Sequence, residues 1–153
     1  MNIGDLIPDL LGYDQEGNAV GRSRFEGRKL IVYFYPKDNT PGCTAEACSL
    51  RDDAAELRAL GYEIIGISRD SAASHGKFAA KHGLTFPLLS DTEGEVCRSF
   101  GVWQKKKMAG REYMGIVRTT FVTDEAHRLV LIVDKVDTKR AGAQLLGLLA
   151  AAQ

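Results

Sequence analysis

The segment Leu30-Ile31-Val32-Tyr33-Phe34-Tyr35 is an unbroken β-branched and aromatic run without polar alternation, the pattern of a strand buried on both faces. Pro36 ends it, and the polar stretch Lys37-Asp38-Asn39-Thr40-Pro41-Gly42 predicts a loop. From Cys43 the period changes. Ala47, Leu50, Ala54, Leu57 and Leu60 recur at steps of three and four, with Glu46, Arg51, Asp53, Glu56 and Arg58 between them. This spacing predicts an amphipathic helix of about five turns, ended by Gly61. Residues 62–68 read as a second strand, and 71–81 as a helix with Phe78 and Ala79 inward and Gly83 as its terminator. Residues 86–89 are extended, and 92–100 form a short helix capped by Asp91 or Thr92. Residues 119–123 and 129–133 are strands, joined by a link at 124–127 short enough for an antiparallel hairpin. A helix over 138–151 follows, and a turn at 15–18 predicts a further hairpin near the N-terminus.

Strand, helix, strand, helix, then a hairpin and a helix is the order of an α/β protein. Right-handed crossovers followed by a hairpin give a central mixed β-sheet flanked by helices, a thioredoxin-like arrangement. No internal repeat, low-complexity segment or Pro/Ser-rich linker interrupts the 153 residues, so one domain spanning 1–153 is expected.

Composition narrows the function classes. Twenty basic and twenty acidic residues cancel, so nothing in the bulk charge points to nucleic acid or an anionic membrane. Lys105-Lys106-Lys107 is read as a solvated loop. The first residues lack the basic start and apolar run of a secretion signal, and no stretch approaches the ~20 apolar residues of a membrane span. Three cysteines are too few, and odd, for a disulfide-stapled secreted scaffold, which makes a reducing cytoplasm the expected location.

The chemistry concentrates where the first long strand hands over to the first helix. Cys43 stands in that helix's first turn, where unpaired amides and the positive end of the macrodipole favour a thiolate. Thiolate is the reactive form, so the position makes a nucleophile. Pro41 holds Thr40 extended, which can aim its hydroxyl toward the sulfur, and Gly42 lets backbone approach a small substrate. The competing reading is a buried small hydrophobe, which the polar Thr-Pro-Gly setting disfavours. Cys48 follows five residues later. If both are helical, their Cα atoms stand about 8 to 9 Å apart, whereas a disulfide needs ~6.8 Å or less. A bond between them would require the helix start to unwind. Cys48 also fits the inward helical face as a core residue. Zinc is the rival use of Cys43, Cys48, Cys97, His75, His82 and His127, but their gaps do not match structural zinc spacings. His75 and His82 are explained as well by solvated side chains, and Cys97 is read as packing.

The stretch PKDNTPGCTAEAC, residues 36–48, resembles the active-site signature of the peroxiredoxins, most of all the Q-type or bacterioferritin comigratory protein branch. Pro36, Thr40 and Cys43 match its Pro-x-x-x-Thr-x-x-Cys pattern, and Cys48 matches the second cysteine of the branch. The resemblance extends through GDLIPDL at 4–10, LIVYFYPK at 30–37, the run IIGISRDSAASHGKFAAKHGLTFPLLSD at 64–91, and GIVRTTFVTD at 115–124, which carries Arg118.

The resemblance implies a thiol-dependent peroxidase for hydrogen peroxide and organic hydroperoxides. Cys43 would attack the O–O bond and become a sulfenic acid. Thr40 and Gly42 would face the peroxide, Arg118 would stabilise the thiolate, and Pro36 would shield the pocket. Cys48 would resolve the sulfenic acid into an intrachain disulfide, recycled by thioredoxin or a glutaredoxin-like protein. Glu46 fits the pattern Cys-Thr-x-Glu and is expected to pair with a basic residue, although an acid in a helix's first turn is favourable anyway. No metal, haem, flavin or nicotinamide is implied. The turn at 124–127 lacks the usual glycine, and an extended C-terminal arm with a distant resolving cysteine is missing, which permits a monomer. A thiol-disulfide oxidoreductase would need a CxxC pair, and residue 46 is Glu. A redox sensor or holdase with a Cys43–Cys48 switch and little turnover is the alternative.

Overall fold

The computed structural model describes residues 1–152. Its strands are β1 (Leu10–Tyr13), β2 (Ala19–Gly21), β3 (Lys29–Phe34), β4 (Tyr62–Ser68), β5 (Leu88–Ser90), β6 (Trp103–Met108), β7 (Arg111–Ile116), β8 (Thr119–Thr123) and β9 (Leu129–Val133). Its helices are α1 (Pro41–Ala59), α2 (Ala72–His82), α3 (Glu95–Ser99) and α4 (Ala141–Ala151). Seven strands form one sheet in the order β2-β1-β5-β4-β3-β8-β9. β3 runs parallel to β4 and β4 to β5, while β8 lies antiparallel to β3 on its other side. The expected mixed sheet between helices is therefore present, and β1 and β2 supply the N-terminal hairpin.

The unbroken apolar run of β3 follows from this central position. Ile31, Tyr33 and Tyr35 enter a core shared with α1, α2 and α4. Leu30, Val32 and Phe34 enter a second core with Phe100, Ile116 and Phe121. A strand with a core on each face has no polar side to show.

In α1, Ala47, Leu50 and Leu57 are buried as the spacing requires, but Leu60 is 47% exposed. It sits one position past the helix, and Gly61 then takes a left-handed φ of 99°. In α2, Ser71 Oγ accepts the amide of Ser74, and Gly83 ends the helix at φ 60°. α3 is shorter than the predicted 92–100. Gly94, not Asp91 or Thr92, takes the N-cap position, while the Asp91 carboxylate reaches in to accept the amides of Val96 and Cys97 at 3.0 and 2.8 Å.

The lysine run is not a loop. Lys105, Lys106 and Lys107 lie in β6, paired with β7 in a separate two-stranded arm. The arm rests on no core along most of its length, so no alternating pattern marks it. The hairpin between β8 and β9 closes without glycine because His127 adopts a φ of 65°. Its Nε2 sits 3.0 and 3.2 Å from the carbonyls of Phe25 and Arg28.

Candidate active site

β3 ends in the sheet, and the chain from Tyr35 to Thr40 loops over its edge before α1 begins. Thr40 is the N-cap position of α1, with φ −88° and ψ 151°, and Pro41 is the first helical residue. That is the place where proline's fixed φ and missing N–H cost nothing. Cys43 falls in the first turn, where the helix amides lack intrahelical partners.

The sulfur is not in a polar loop. Cys43 is 1% exposed and belongs to the core that holds Tyr33, Tyr35 and Ala47. The polar residues ahead of it take the surface, and the helix turns its side chain back toward the sheet. Burial alone would make an inert thiol. What distinguishes Cys43 is Arg118, whose Nη2 donates to its Sγ at 3.3 Å. Arg118 immediately precedes β8, which pairs antiparallel with β3 so that Thr119 faces Phe34. This register carries the arginine to the end of β3, where the loop to Cys43 begins. Gly42 has a role here beyond substrate approach: a Cβ at that position would lie 3.3 Å from Arg118 Nη2. The missing side chain leaves room for the guanidinium.

The other end of that guanidinium binds Glu46. Arg118 Nη1 donates to Glu46 Oε1 at 2.6 Å, and the Glu46 side chain is fully buried. Burial pushes the Glu46 carboxyl up to about 7, against the lowering influence of Arg118. Burial works against the Arg118 charge, but Glu46 and then Cys43 outweigh it and hold its pKa above the ordinary value. Glu46 Oε2 and the hydroxyl of Tyr33 are buried without hydrogen-bond partners among the described residues.

Thr40 differs from expectation. Its Oγ1 donates to the carbonyl of Lys37 at 2.9 Å rather than to the sulfur. The loop between Pro36 and Thr40 closes a tight turn, with Asn39 at φ 64°, and this carbonyl is the acceptor within reach. Pro36 is half-buried directly after Tyr35.

A network invisible in the sequence holds this loop from behind. Asp38 accepts from the Tyr35 hydroxyl at 2.6 Å, from Ser74 at 2.8 Å and from His75 Nδ1 at 2.7 Å. His75 Nε2 faces the carbonyl of Leu89 at 3.1 Å. Asp70 accepts the amide of Asp38 at 2.9 Å and the hydroxyl of Ser68 at 2.6 Å. His75 is therefore not the solvated side chain expected from its spacing; it is wholly buried. Ligand atoms of Asp38, Asp70 and His75 lie within 4.8 Å of one another, as a metal would require. Their lone pairs and ring hydrogens are already committed to this network, so the group fits a structural tether rather than a cation site.

Cys48 is half-buried on α1, with its Sγ 3.8 Å from Nδ1 of His82. Both Cys43 and Cys48 are free thiols on one continuous helix. Cys97 is fully buried, and burial first, then Asp91, raises its pKa far above a reactive range.

Residues 3–132 match the sequence profile of the AhpC/TSA family. The chain is 45% identical over 146 residues to peroxiredoxin Bcp of Bacillus subtilis, covering 95% of this chain and 93% of that one. Against peroxiredoxin Bcp of Escherichia coli K12 the identity is 41%, covering 90% and 88%. Among solved structures, a cysteine-to-serine mutant of Xylella fastidiosa PrxQ superposes with a TM-score of 0.88 at 34% identity, covering 99% of this chain and 96% of that one. The Xanthomonas campestris bacterioferritin comigratory protein, studied for alkyl peroxide reduction, superposes with a TM-score of 0.83 at 36% identity, covering 97% and 100%.

Proposed function

The chain belongs to the AhpC/TSA family as a peroxiredoxin of the Bcp or PrxQ kind, and from that premise we propose how its own residues carry a thiol-dependent peroxidase reaction. The Cys43 thiolate attacks one oxygen of a hydroperoxide. An S–O bond forms, the O–O bond breaks, and the departing hydroxide or alkoxide takes a proton to leave as water or alcohol. Cys43 becomes a sulfenic acid. The observation that carries this reading is the guanidinium of Arg118 at 3.3 Å from Sγ, a fixed cation beside a sulfur in a helix's first turn.

Arg118 stabilises the thiolate and then the charge that develops on the oxygens. With its own hydrogen donated to Lys37, Thr40 Oγ1 presents lone pairs to the O–H of the peroxide. Gly42 keeps the approach open, and Pro36 screens the sulfur from water. The Cys48 thiol then attacks the sulfenic sulfur, the S–S bond forms, and one water leaves. Because both residues lie on an intact helix, the first turn of α1 opens to let them meet.

An external dithiol protein, thioredoxin or a glutaredoxin-like protein, reduces the disulfide. Hydrogen peroxide and organic hydroperoxides are the substrates, in keeping with the alkyl peroxide activity of the Xanthomonas relative. Residues 1–153 act as one domain and as a monomer, since an intrachain disulfide needs no second subunit. A reducing cytoplasm suits three free cysteines. None of the described helices is long and apolar enough to cross a membrane.

Steady-state hydrogen peroxide consumption, with thioredoxin and its reductase recycling the protein, tests this reading. Many turnovers are expected from the intact chain and none from Cys43→Ser. Consumption that survives the substitution would place the nucleophile elsewhere. A single oxidation per chain in the intact protein would remove thioredoxin as the reductant.

A further inference from the structure

We propose that His82 is the base that takes the proton of Cys48 and so prepares it to attack the sulfenic acid. The inference rests on the reading of Cys48 as the resolving residue. Its ground is the placement of two side chains from different helices. Cys48 Sγ lies 3.8 Å from His82 Nδ1, within the reach of an S–H···N hydrogen bond. His82 is the last residue of α2, and its ring is held edge-on against Phe78 with centroids 5.0 Å apart. The ring therefore has a fixed orientation toward α1.

Arg51 completes the arrangement. It stands three residues after Cys48 on α1, on the same helical face. Its Nη1 donates to the His82 carbonyl at 2.7 Å. This bond ties the body of α1 to the end of α2, so the part of α1 that opens is the turn ahead of Cys48. Cys43 comes to Cys48, and Cys48 keeps its histidine. The charge on Arg51 also favours a sulfur anion. Its pKa lies above the ordinary value, chiefly through the hydrogen bond to Asp52 and next through Cys48.

The step balances without a further reactant. His82 Nδ1 accepts the thiol proton, and Cys48 sulfur, now carrying the electron pair, attacks the sulfur of the Cys43 sulfenic acid. The S–S bond forms as the S–O bond breaks. The hydroxide takes a proton and leaves as water, and the imidazolium gives its proton back to solvent. One thiol and one sulfenic acid become one disulfide and one water. A free cysteine is only a few per cent thiolate at pH 7, so full transfer to a base accelerates this step by at most about 30-fold.

The test separates the two chemical steps in a single turnover. Reduced protein is mixed with one equivalent of hydrogen peroxide and quenched at intervals. Mass spectrometry follows the sulfenic acid and the disulfide, which lacks two hydrogens. In His82→Phe, which keeps an aromatic ring against Phe78, and in His82→Ala, the conversion of sulfenic acid to disulfide is expected to slow about tenfold. Imidazole added to His82→Ala is expected to restore the rate in proportion to its concentration. An unchanged conversion rate, or a slow rate that imidazole does not restore, overturns the proposal. Cys48→Ser is run beside them. If it still turns over with thioredoxin, the resolving role itself is wrong. If it stops at the sulfenic acid while His82→Phe stays fast, only the role of His82 falls.

Discussion

Asp38 and Glu46 are both buried carboxylates within a few residues of Cys43, yet three side-chain donors hold the first and one arginine holds the second. Both carboxylate oxygens of Asp38 accept hydrogen bonds. Burial acts to raise its pKa, but the bonds from His75 and Tyr35 outweigh it and the carboxyl titrates below its ordinary value. Around Glu46 one oxygen has no partner among the described residues, and burial wins, moving the carboxyl up to about 7. The two sides of the site are thus built for different ends. Asp38 and His75 form a stiff anchor for the loop between β3 and α1. Glu46 and Arg118 form a pair that tolerates a change of charge beside the sulfur. On the proposed mechanism the site accepts a thiolate, a sulfenic acid and an opened helix turn, and it would use one wall of each kind.

The contrast breaks first at the anchor. Asp38→Ala removes the acceptor of His75, Tyr35 and Ser74 and leaves the Tyr35 hydroxyl its 3.3 Å contact with His75 Nδ1, and a buried polar group left unsatisfied costs about 1–3 kcal/mol. Urea unfolding is expected to show a loss of that size. A loss below about 1 kcal/mol would mean that the network is not an anchor.

On the yielding side, Arg118→Met removes the cation that donates to Sγ. The second-order rate of peroxide reduction is expected to fall about 10²- to 10³-fold, as for loss of a charge-stabilising donor. The same change removes the Arg118 charge and hydrogen bond that lower the Glu46 pKa, so the carboxyl holds its proton to still higher pH. Competition for peroxide against a catalase or a peroxidase reads the first effect.

The finest test is of sign. Glu46 has a folded pKa of about 7 against an ordinary 4.5, so between those values the folded state keeps a proton that the unfolded state has released. Its contribution to stability is present below pH 4.5 and is lost as pH rises toward 7. Asp38 has a lowered folded pKa, so its contribution is present above 3.8 and is lost as pH falls through the folded value. The stability of the intact chain minus that of Glu46→Gln, from denaturant curves, is expected to decline between pH 4.5 and 7 and then level. A difference that stays level across this window would mean that the folded state does not hold the Glu46 proton above its ordinary pKa.

Much of this architecture is legible in the sequence. β3 and β4 stand out as unbroken apolar runs because each is buried on both faces, and α1 by the three- and four-residue recurrence of its apolar positions. Cys43, Thr40, Pro36 and Cys48 are legible as a local motif, and Arg118 through a resemblance that reaches across the chain. The arm of β6 and β7 was hidden because Trp103 to Ile116 shows little apolar face; only Ala109 and Gly110, at φ 51° and 80°, mark its tight turn. The anchor was hidden for another reason. Asp38 and His75 lie 37 positions apart, and nothing in the spacing of either names the other. Cys48 and His82 are 34 positions apart and met the same obstacle. The burial of Cys43 itself depends on how the helix start faces the sheet, which a polar loop in the sequence disguises.

The register of β8 against β3 has a consequence for where such a chain can change in length. Arg118 meets Cys43 from 75 positions away, and its place is measured by the ladder that sets Thr119 opposite Phe34. Just ahead of it the arm leaves and rejoins the body at one point, where the Val117 amide donates to the Val102 carbonyl at 2.8 Å and Trp103 faces Ile116. Residues added or removed at its tip, between Met108 and Arg111, would leave that junction where it is. A change of length at that tip would therefore leave the arginine beside the sulfur in step.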